Sequence, residues 1–448
     1  MPTPIIQISH PVSAGLHGVI TVPGDKSISH RALIFGALCV GETTIRGLLE
    51  GEDVLATAQA LRAYGAQIKL GSDGVCRVNG LGVGGLMPPG NVIDLGNSGT
   101  AARLLVGLAA SHGLTSVFTG DASLRQRPMQ RVMTPLANMG AKFVAAPGGR
   151  LPLTVKGRDT LMPIAYTPPV ASAQIKSAIL LAGLNTPGQT TIIEHHRTRD
   201  HTENLLRHFG AEVTVQADDN GVRYITLTGR PELLPQTVRI PGDPSSAAFP
   251  IAAALLVPGS EVTIRNVGLN PLRAGLFDTL RDMGAVIEES GSRYDQGELV
   301  ADLTVRAGPL RGIEVPPERA PAMIDEYPIL SALAAFAHGE TVMRGIGELR
   351  VKESDRISAM VNGLNALGTK VEELEDGMIV HGHSGPAPAR QNTFIKTEMD
   401  HRIAMSFLVY GLGAQGSVRV QDCEMINTSF PRFLGLMNGL GGKIEAFL

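Results

Sequence analysis

At 448 residues, 43% apolar and 18% charged with a net charge of −3, the chain can build two or three domains with real cores. It lacks the positive excess of a general nucleic-acid or membrane-surface binder. Its three cysteines have no CxxC or paired spacing, which excludes a disulfide framework and reads as reduced thiols. The longest apolar run, Ala247 to Pro258, contains Pro250 and falls short of the roughly 20 residues that cross a bilayer. The N-terminal MPTPIIQISHPVS has neither the basic nor the apolar region of a secretion signal, so a soluble, cytoplasmic protein is expected.

In chain order, the first dense cluster of polar groups is VPGDKSISHR, Val22 to Arg31, followed by an apolar run from Ala32 to Val40 that reads as a helix. A turn opening onto a helix offers free N–H groups and the positive end of a dipole, which suits anions. The phrase returns as IPGDPSSAAFP, Ile240 to Pro250, with Pro244 in place of the lysine. One copy reads as functional and the other as structural. Repetition extends further: Gly65, Gly140, Gly210, Gly284, Gly368 and Gly441 each follow a helical segment, at intervals of roughly 75 residues. Glycine after a last helical turn is the expected C-cap, because it enters the left-handed region without penalty.

Each unit thus reads as a polar turn, an apolar helix, a glycine break, a strand, an amphipathic helix, a glycine cap and further strands. The break and strand are predicted at 41–46, 188–193, 259–265, 339–344 and 416–420, and strands after the cap at 67–70 and 286–288. Such alternation argues for an α/β protein of mixed sheets layered with helices. Six units divide most simply into two lobes of three, residues 1–22 with 243–448 and residues 23–242, with ligands in the cleft between them.

The polar clusters head the apolar helices. Lys26, Ser27 and Arg31 suit an anion, whereas His30 beside an apolar helix reads as structural. Asn97, Ser98, Gly99 and Thr100 form a small turn that could close on an anion or simply cap a helix. Arg125, Arg127 and Arg131 flank Pro128, and Arg127 is the best candidate ligand among them. Ser172, Ala173 and Gln174 precede an apolar helix, Lys176 reads as structural, and Arg199 can fork onto a phosphate. Asp325 and Glu326 head another apolar helix. Lys352, Glu353, Asp355 and Arg356 lie at helical spacings that would cluster them. Asp400, His401 and Arg402 complete the set. Cations recurring with carboxylates point to small, multiply anionic ligands and proton transfer. No phosphate-loop, dinucleotide or metal motif is present, which argues against nucleotide hydrolysis, hydride transfer and zinc chemistry.

GDKSISHRA, GNSGTAAR, RPMQR, SAQIKSA, RDHTE, MIDEYP, RVKESDR, DHRIAM and TSFP occur in this order along nearly the whole chain. Together they closely resemble the 3-phosphoshikimate 1-carboxyvinyltransferase (EPSP synthase) family. RPMQR, SAQIK and NPLR (Asn270 to Arg273) resemble its second sequence class. The resemblance implies an enolpyruvyl-transferase fold of two lobes, each with three βαβαββ units around a pseudo-threefold axis. It implies addition of the shikimate 3-phosphate 5-hydroxyl to C2 of phosphoenolpyruvate, protonation at C3, and elimination of phosphate. No metal or organic cofactor, nucleic acid or membrane partner is expected, and the enzyme is expected to be a monomer.

By the same resemblance, Ser27 and Arg31 would hold the shikimate carboxylate, and Ser172, with Ala173, and Arg199 the phosphate. Gln174 would lie over the ring, and Lys352 would reach the shikimate hydroxyls. Lys26, Arg127, Arg356 and Arg402 would surround phosphoenolpyruvate, beside Asn97, Gly99 and Thr100. Asp325 would be the base toward the 5-hydroxyl and Glu353 the acid toward the methylene carbon, with Lys26 the third group able to move a proton. In this family the residue at Gly99 limits room for glyphosate, so glycine argues for sensitivity and the class-two motifs for tolerance. Thr428 stands where many first-class members carry a lysine. The alternatives are the sister transferase acting on UDP-N-acetylglucosamine, whose Lys-Asn pair and loop cysteine are missing, and a non-catalytic anion-binding repeat protein.

Overall fold

The computed structural model describes residues 5–447. The chain forms two compact units. The first comprises the described residues up to Pro23, Pro241–Arg293 and the described residues from Leu299 onward; the second comprises Gly24–Ile240 and the hairpin tip Tyr294–Glu298.

Among the described residues, six sheets of four strands form, three drawn from each unit. One is typical. Thr237–Arg239 runs parallel to Val40–Arg46, which pairs antiparallel with Val75–Leu81, which pairs antiparallel with Gln67–Leu70. The same arrangement holds Ile93–Asp94, Thr115–Thr119, Arg150–Lys156 and Lys142–Ala146 together. In the first unit the strand Gln7–Ser9 closes the last sheet, lying antiparallel between Val418–Val420 and Ile444–Ala446. The predicted strand at 286–288 extends to Asp295, because it continues as a hairpin with Glu298–Arg306.

Two kinds of helix serve these sheets. The inner ones, Lys26–Ala37, Gly99–Ala110, Ala173–Leu184, Pro244–Leu256, Tyr327–Ala334 and His401–Gly413, are buried on nearly every face, so they are rich in Ala, Leu and Gly all round. Gly107 shows how close they come: a Cβ there would lie 2.3 Å from the Ala178 carbonyl oxygen on the neighbouring inner helix. The outer ones are amphipathic. Glu52–Ala63 buries Val54, Thr57, Ala58 and Leu61, the i, i+3, i+4, i+7 stripe of a helix half in water. Two apolar clusters, one per unit, collect these faces.

The first inner helix begins earlier than its apolar run suggests. Asp25 caps it, with its Oδ1 accepting the Ile28 N–H at 2.8 Å, so helix starts at Lys26 and ends at Ala37. Lys26 and Arg31 therefore stand on the helix itself, not in a turn before it.

All six predicted capping glycines are left-handed, with φ between 91° and 111°. Each closes its outer helix with the same pair of bonds. Gly140 N–H donates to the Ala137 carbonyl at 2.9 Å and Ala141 N–H to the Leu136 carbonyl at 3.1 Å, the double bond of a Schellman cap. Around Gly140 the nearest atom to an added Cβ is 3.7 Å away, so a substitution meets backbone strain without a clash. Gly140→Ala should therefore cost about 1–2 kcal/mol. Scanning calorimetry should show the transition lowered by a few degrees, with Gly140→Asn recovering part of the loss because asparagine tolerates this region.

Candidate active site

In the second unit, charged groups gather at the heads of the inner helices. Lys26 Nζ lies 2.6 Å from Asp53 Oδ2, a partner that the motif reading does not include and that sits in the first turn of the outer helix. Arg31 is buried. Its Nε donates to Thr202 Oγ1 and one NH2 to Ser177 Oγ, both at 2.7 Å, while NH1 donates to the Ser27 carbonyl at 2.9 Å. Burial lowers its pKa to about 10, against the support of Glu203 and Asp25; the nearby Arg199 charge lowers it further. His30 is buried with Nδ1 2.7 Å from Thr57 Oγ1. Burial first, and then Lys26 and Arg31, hold its pKa well below the ordinary histidine value.

Asn97 and Arg127 form one arrangement. Arg127 NH2 donates to Asn97 Oδ1 at 2.6 Å and to Ser123 Oγ at 3.1 Å. Asn97 Nδ2 donates to Asp121 Oδ2 at 2.6 Å, and Asp121 Oδ1 accepts the Leu124 N–H at 2.7 Å. Asp121 thereby fixes which face of the Asn97 amide Arg127 meets. Ser98 takes the capping role, accepting the Ala101 N–H at 3.2 Å. Gly99 lies against two guanidinium groups: a Cβ there would fall 2.8 Å from Arg103 NH1 and 3.0 Å from Arg127 NH1. Gln174 Nε2 donates to Thr100 Oγ1 at 3.1 Å. Ser172 caps the helix that Ala173 begins, accepting the Ile175 N–H at 3.4 Å, and lines a cavity of about 270 Å³ together with Thr198. Arg199 is half-buried in the turn before the helix His201–His208.

In the first unit the acids and bases converge on Arg356, whose side chain is 1% exposed. Its Nε lies 2.7 Å from Asp400 Oδ2, its NH1 3.3 Å from Asp325 Oδ1, and its NH2 bonds Glu353. Burial opposes the charge, but Asp400, Glu353 and Asp325 more than offset it and hold the pKa above the ordinary arginine value. Lys352 Nζ is 3.6 Å from Asp325 Oδ1. This cluster does not arise from helical spacing. The helix starts at Arg356, capped by Asp355, and Lys352 to Ser354 precede it in the turn after Gly347–Val351. Glu353 meets Arg356 across the cap, and Lys352 reaches Asp325 instead of Arg356.

Arg402 donates from NH1 to the Asp325 carbonyl at 2.9 Å and to Glu326 Oε1 at 3.2 Å, and from NH2 to Ser245 Oγ at 3.2 Å. Arg273 closes the group, with NH1 3.1 Å from Glu326 Oε1 and NH2 3.3 Å from Asp243 Oδ1. The fourth repeat contributes Ser245, which accepts a hydrogen bond from Arg402. Arg103, Asp53, Asp121 and Ser245 are the site contributors that motif reading misses; GNSGTAAR and PGDPSS contain two of them, but nothing local shows what they touch.

Each unit therefore presents cations held by fixed acceptors, and the first adds two carboxylates on adjacent nitrogens of one guanidinium. Such a set binds multiply anionic molecules and can move protons. A family model described as EPSP synthase (3-phosphoshikimate 1-carboxyvinyltransferase) matches residues 12–437. The chain is 61% identical over 431 residues to the 3-phosphoshikimate 1-carboxyvinyltransferase of Parvibaculum lavamentivorans, covering 96% of this chain and 95% of the relative. It is 60% identical to that of Paramagnetospirillum magneticum, covering 97% of each. Among solved structures, EPSP synthase from Acinetobacter baumannii matches with a TM-score of 0.87 at 41% identity, over 99% of this chain and 100% of that one. The enolpyruvyl transferase NikO from Streptomyces tendae shares the fold, with a TM-score of 0.79 at 18% identity over 99% of both chains.

The Asp400–Arg356 pair yields a pH prediction. Burial raises the Asp400 pKa, but Arg356 outweighs it and holds the group below its ordinary 3.8. Its stabilisation is therefore fully present above the unfolded-state value and is lost as pH falls through the lower folded-state value. Asp400→Asn should cost about 3 kcal/mol, since it leaves a buried guanidinium under-compensated. Urea unfolding should show this deficit unchanged from about pH 8 to 5 and narrowing below about pH 4.

Proposed function

The chain belongs to the EPSP synthase family, and on that premise we propose that it transfers the enolpyruvyl group of phosphoenolpyruvate to the 5-hydroxyl of shikimate 3-phosphate. The observation that carries this reading is the placing of Asp325 and Glu353 on NH1 and NH2 of the buried Arg356. One guanidinium then sets the spacing of a base and an acid for opposite ends of the new bond. Asp325 takes the proton of the 5-hydroxyl as its oxygen attacks C2, and Glu353 gives a proton to C3. The tetrahedral intermediate then loses a C3 proton and inorganic phosphate, leaving the enol ether and balancing the addition.

Lys26, Arg127, Arg356 and Arg402 offset the negative charge of phosphoenolpyruvate and of the departing phosphate, with Asn97, Gly99, Thr100 and Gln174 beside them. Ser27 and Arg31 take the shikimate carboxylate, Ser172, Ala173 and Arg199 its phosphate, and Lys352 its hydroxyls. The enzyme serves aromatic amino acid biosynthesis, and three free, buried cysteines accord with a reducing cytoplasm. Among the described residues, no helix is long and apolar enough to cross a membrane.

Phosphate release from phosphoenolpyruvate tests the proposal directly. It should require shikimate 3-phosphate, and release with UDP-N-acetylglucosamine instead would overturn the acceptor assignment. Glu353→Gln should lower turnover at least about 100-fold while calorimetric binding of shikimate 3-phosphate persists. Gly99→Ala pushes a methyl group against Arg127 and Arg103. It should raise the KM for phosphoenolpyruvate and weaken glyphosate inhibition more strongly, leaving the KM for shikimate 3-phosphate within about twofold; one more methylene-sized contact is worth about 1–3 kcal/mol.

A further inference from the structure

Lys176 is an anomaly in the second unit. It stands on an inner helix with its side chain 0% exposed, facing two carboxylates that are themselves buried, Glu194 at 3.0 Å and Glu203 at 2.7 Å. Its ammonium also donates to the Thr198 carbonyl at 3.3 Å. Removing a lysine from water is costly, and an ion pair in the interior seldom repays it in stability. Apolar residues of similar volume would serve a purely structural role as well. The three partners share a feature that a packing role does not require, because they belong to the strand end, the turn and the helix start that surround Arg199.

The connections run in two directions. Glu194 ends the strand Gln189–Glu194 and accepts a hydrogen bond from Thr198 Oγ1, so Lys176 and Glu194 together hold the turn 195–200 by its backbone and by a side chain. Arg199 follows Thr198 directly. Glu203 lies in the first turn of the helix His201–His208, beside Thr202. Thr202 Oγ1 receives the Arg31 Nε hydrogen bond and lies 2.7 Å from Ser177 Oγ, which receives Arg31 NH2. Ser177 is the next residue after Lys176. The Lys176–Glu203 pair thus pins together, one residue away on each side, the two hydroxyls that orient Arg31. Glu203 is also the largest opposite charge supporting the Arg31 guanidinium.

We propose that Lys176 is a positioning residue for the shikimate 3-phosphate side of the site: through Glu194 and Thr198 it sets the turn that carries Arg199, and through Glu203 it sets the hydroxyl pair that orients Arg31. The inference rests on the functional reading above, because only that reading gives Arg31 and Arg199 the carboxylate and the phosphate of one ligand. It assigns selectivity between the two substrates to a side chain that touches neither. Of the groups proposed around phosphoenolpyruvate, Arg127 is held by Asn97 and Arg356 by Asp400, partners outside this cluster.

The test uses the full-length enzyme, with Glu203→Gln as the primary variant, because it keeps the side-chain shape and leaves Lys176 paired with Glu194. Lys176→Met is the second variant. Steady-state kinetics with each substrate varied separately should show the KM for shikimate 3-phosphate raised about tenfold. The KM for phosphoenolpyruvate should stay within twofold and kcat within threefold, and calorimetric binding of shikimate 3-phosphate should weaken by the same tenfold. A lowered thermal midpoint with the KM for shikimate 3-phosphate unchanged in Glu203→Gln would make the cluster merely structural and overturn the inference. An equal rise in both KM values would do the same. If Lys176→Met does not fold, Glu203→Gln decides alone. Wild-type enzyme without shikimate 3-phosphate-dependent phosphate release would overturn the functional reading itself, so the two failures are distinguishable.

Discussion

A guanidinium with almost no contact with water keeps its charge only if carboxylates surround it, and Arg356 is held by three. That requirement organises the first unit. It brings together residues from three stretches of chain: Asp325 before one inner helix, Glu353 before an outer helix, and Asp400 capping another inner helix. Because each carboxylate is anchored through its own backbone, the three segments cannot shift independently. Asp400 adds a second duty, accepting the Arg402 N–H at 2.9 Å, so the group that neutralises one arginine also starts the helix presenting the next.

The internal duplication shows how one scaffold tolerates opposite solutions. Asp25 and Asp243 both cap their inner helices, the first and the fourth, through Oδ1, Asp25 accepting the N–H of the third helical residue, Ile28, and Asp243 that of the second, Ser245. After that the copies diverge. In the first, the residue following the cap is a lysine answered by Asp53 on the outer helix. In the fourth, proline takes that place, fixing the φ of the first helical turn at the position where its missing N–H is not needed. The positive charge then comes from Arg273, lying between Asp243 and Glu326. Each copy keeps a cation near the buried helix start, but one supplies it from the inner helix and the other from the segment leading to the outer helix.

The apolar parts of the repeat leave these polar groups where they are useful. A helix buried on all sides has no wet face, so polar side chains are tolerated at its first turn, where unsatisfied N–H groups need acceptors. The sheets and glycine caps fix where each helix begins. The close approach of neighbouring inner helices at Gly107 leaves no room to slide one past the other. Charged residues of the inner helices therefore gather toward their starts, because the rest of each inner helix is packed on nearly every side.

What was legible in the sequence is what local physics decides. The six left-handed glycines follow from the need to end a helix without a Cβ clash, and all six sit at φ near 100° in the same double-bonded cap. Helix and strand order follows from hydrophobic periodicity, and the motif residues Asn97 with Arg127, Gln174 with Thr100, and Asp325 with Arg356 do meet. The start of the first inner helix escaped, because one carboxylate cap at Asp25 outweighs the polarity of the six residues that follow it. The KESDR segment looked helical only because its spacing ignores the cap at Asp355. The partners of the site residues were decided by the tertiary structure alone. Asp53 for Lys26, Asp121 for Asn97, Glu194 and Glu203 for Lys176, and Glu326 for Arg273 lie 18 to 53 residues away along the chain. No periodicity links such positions, and only the packing of helix on helix determines which buried charge meets which.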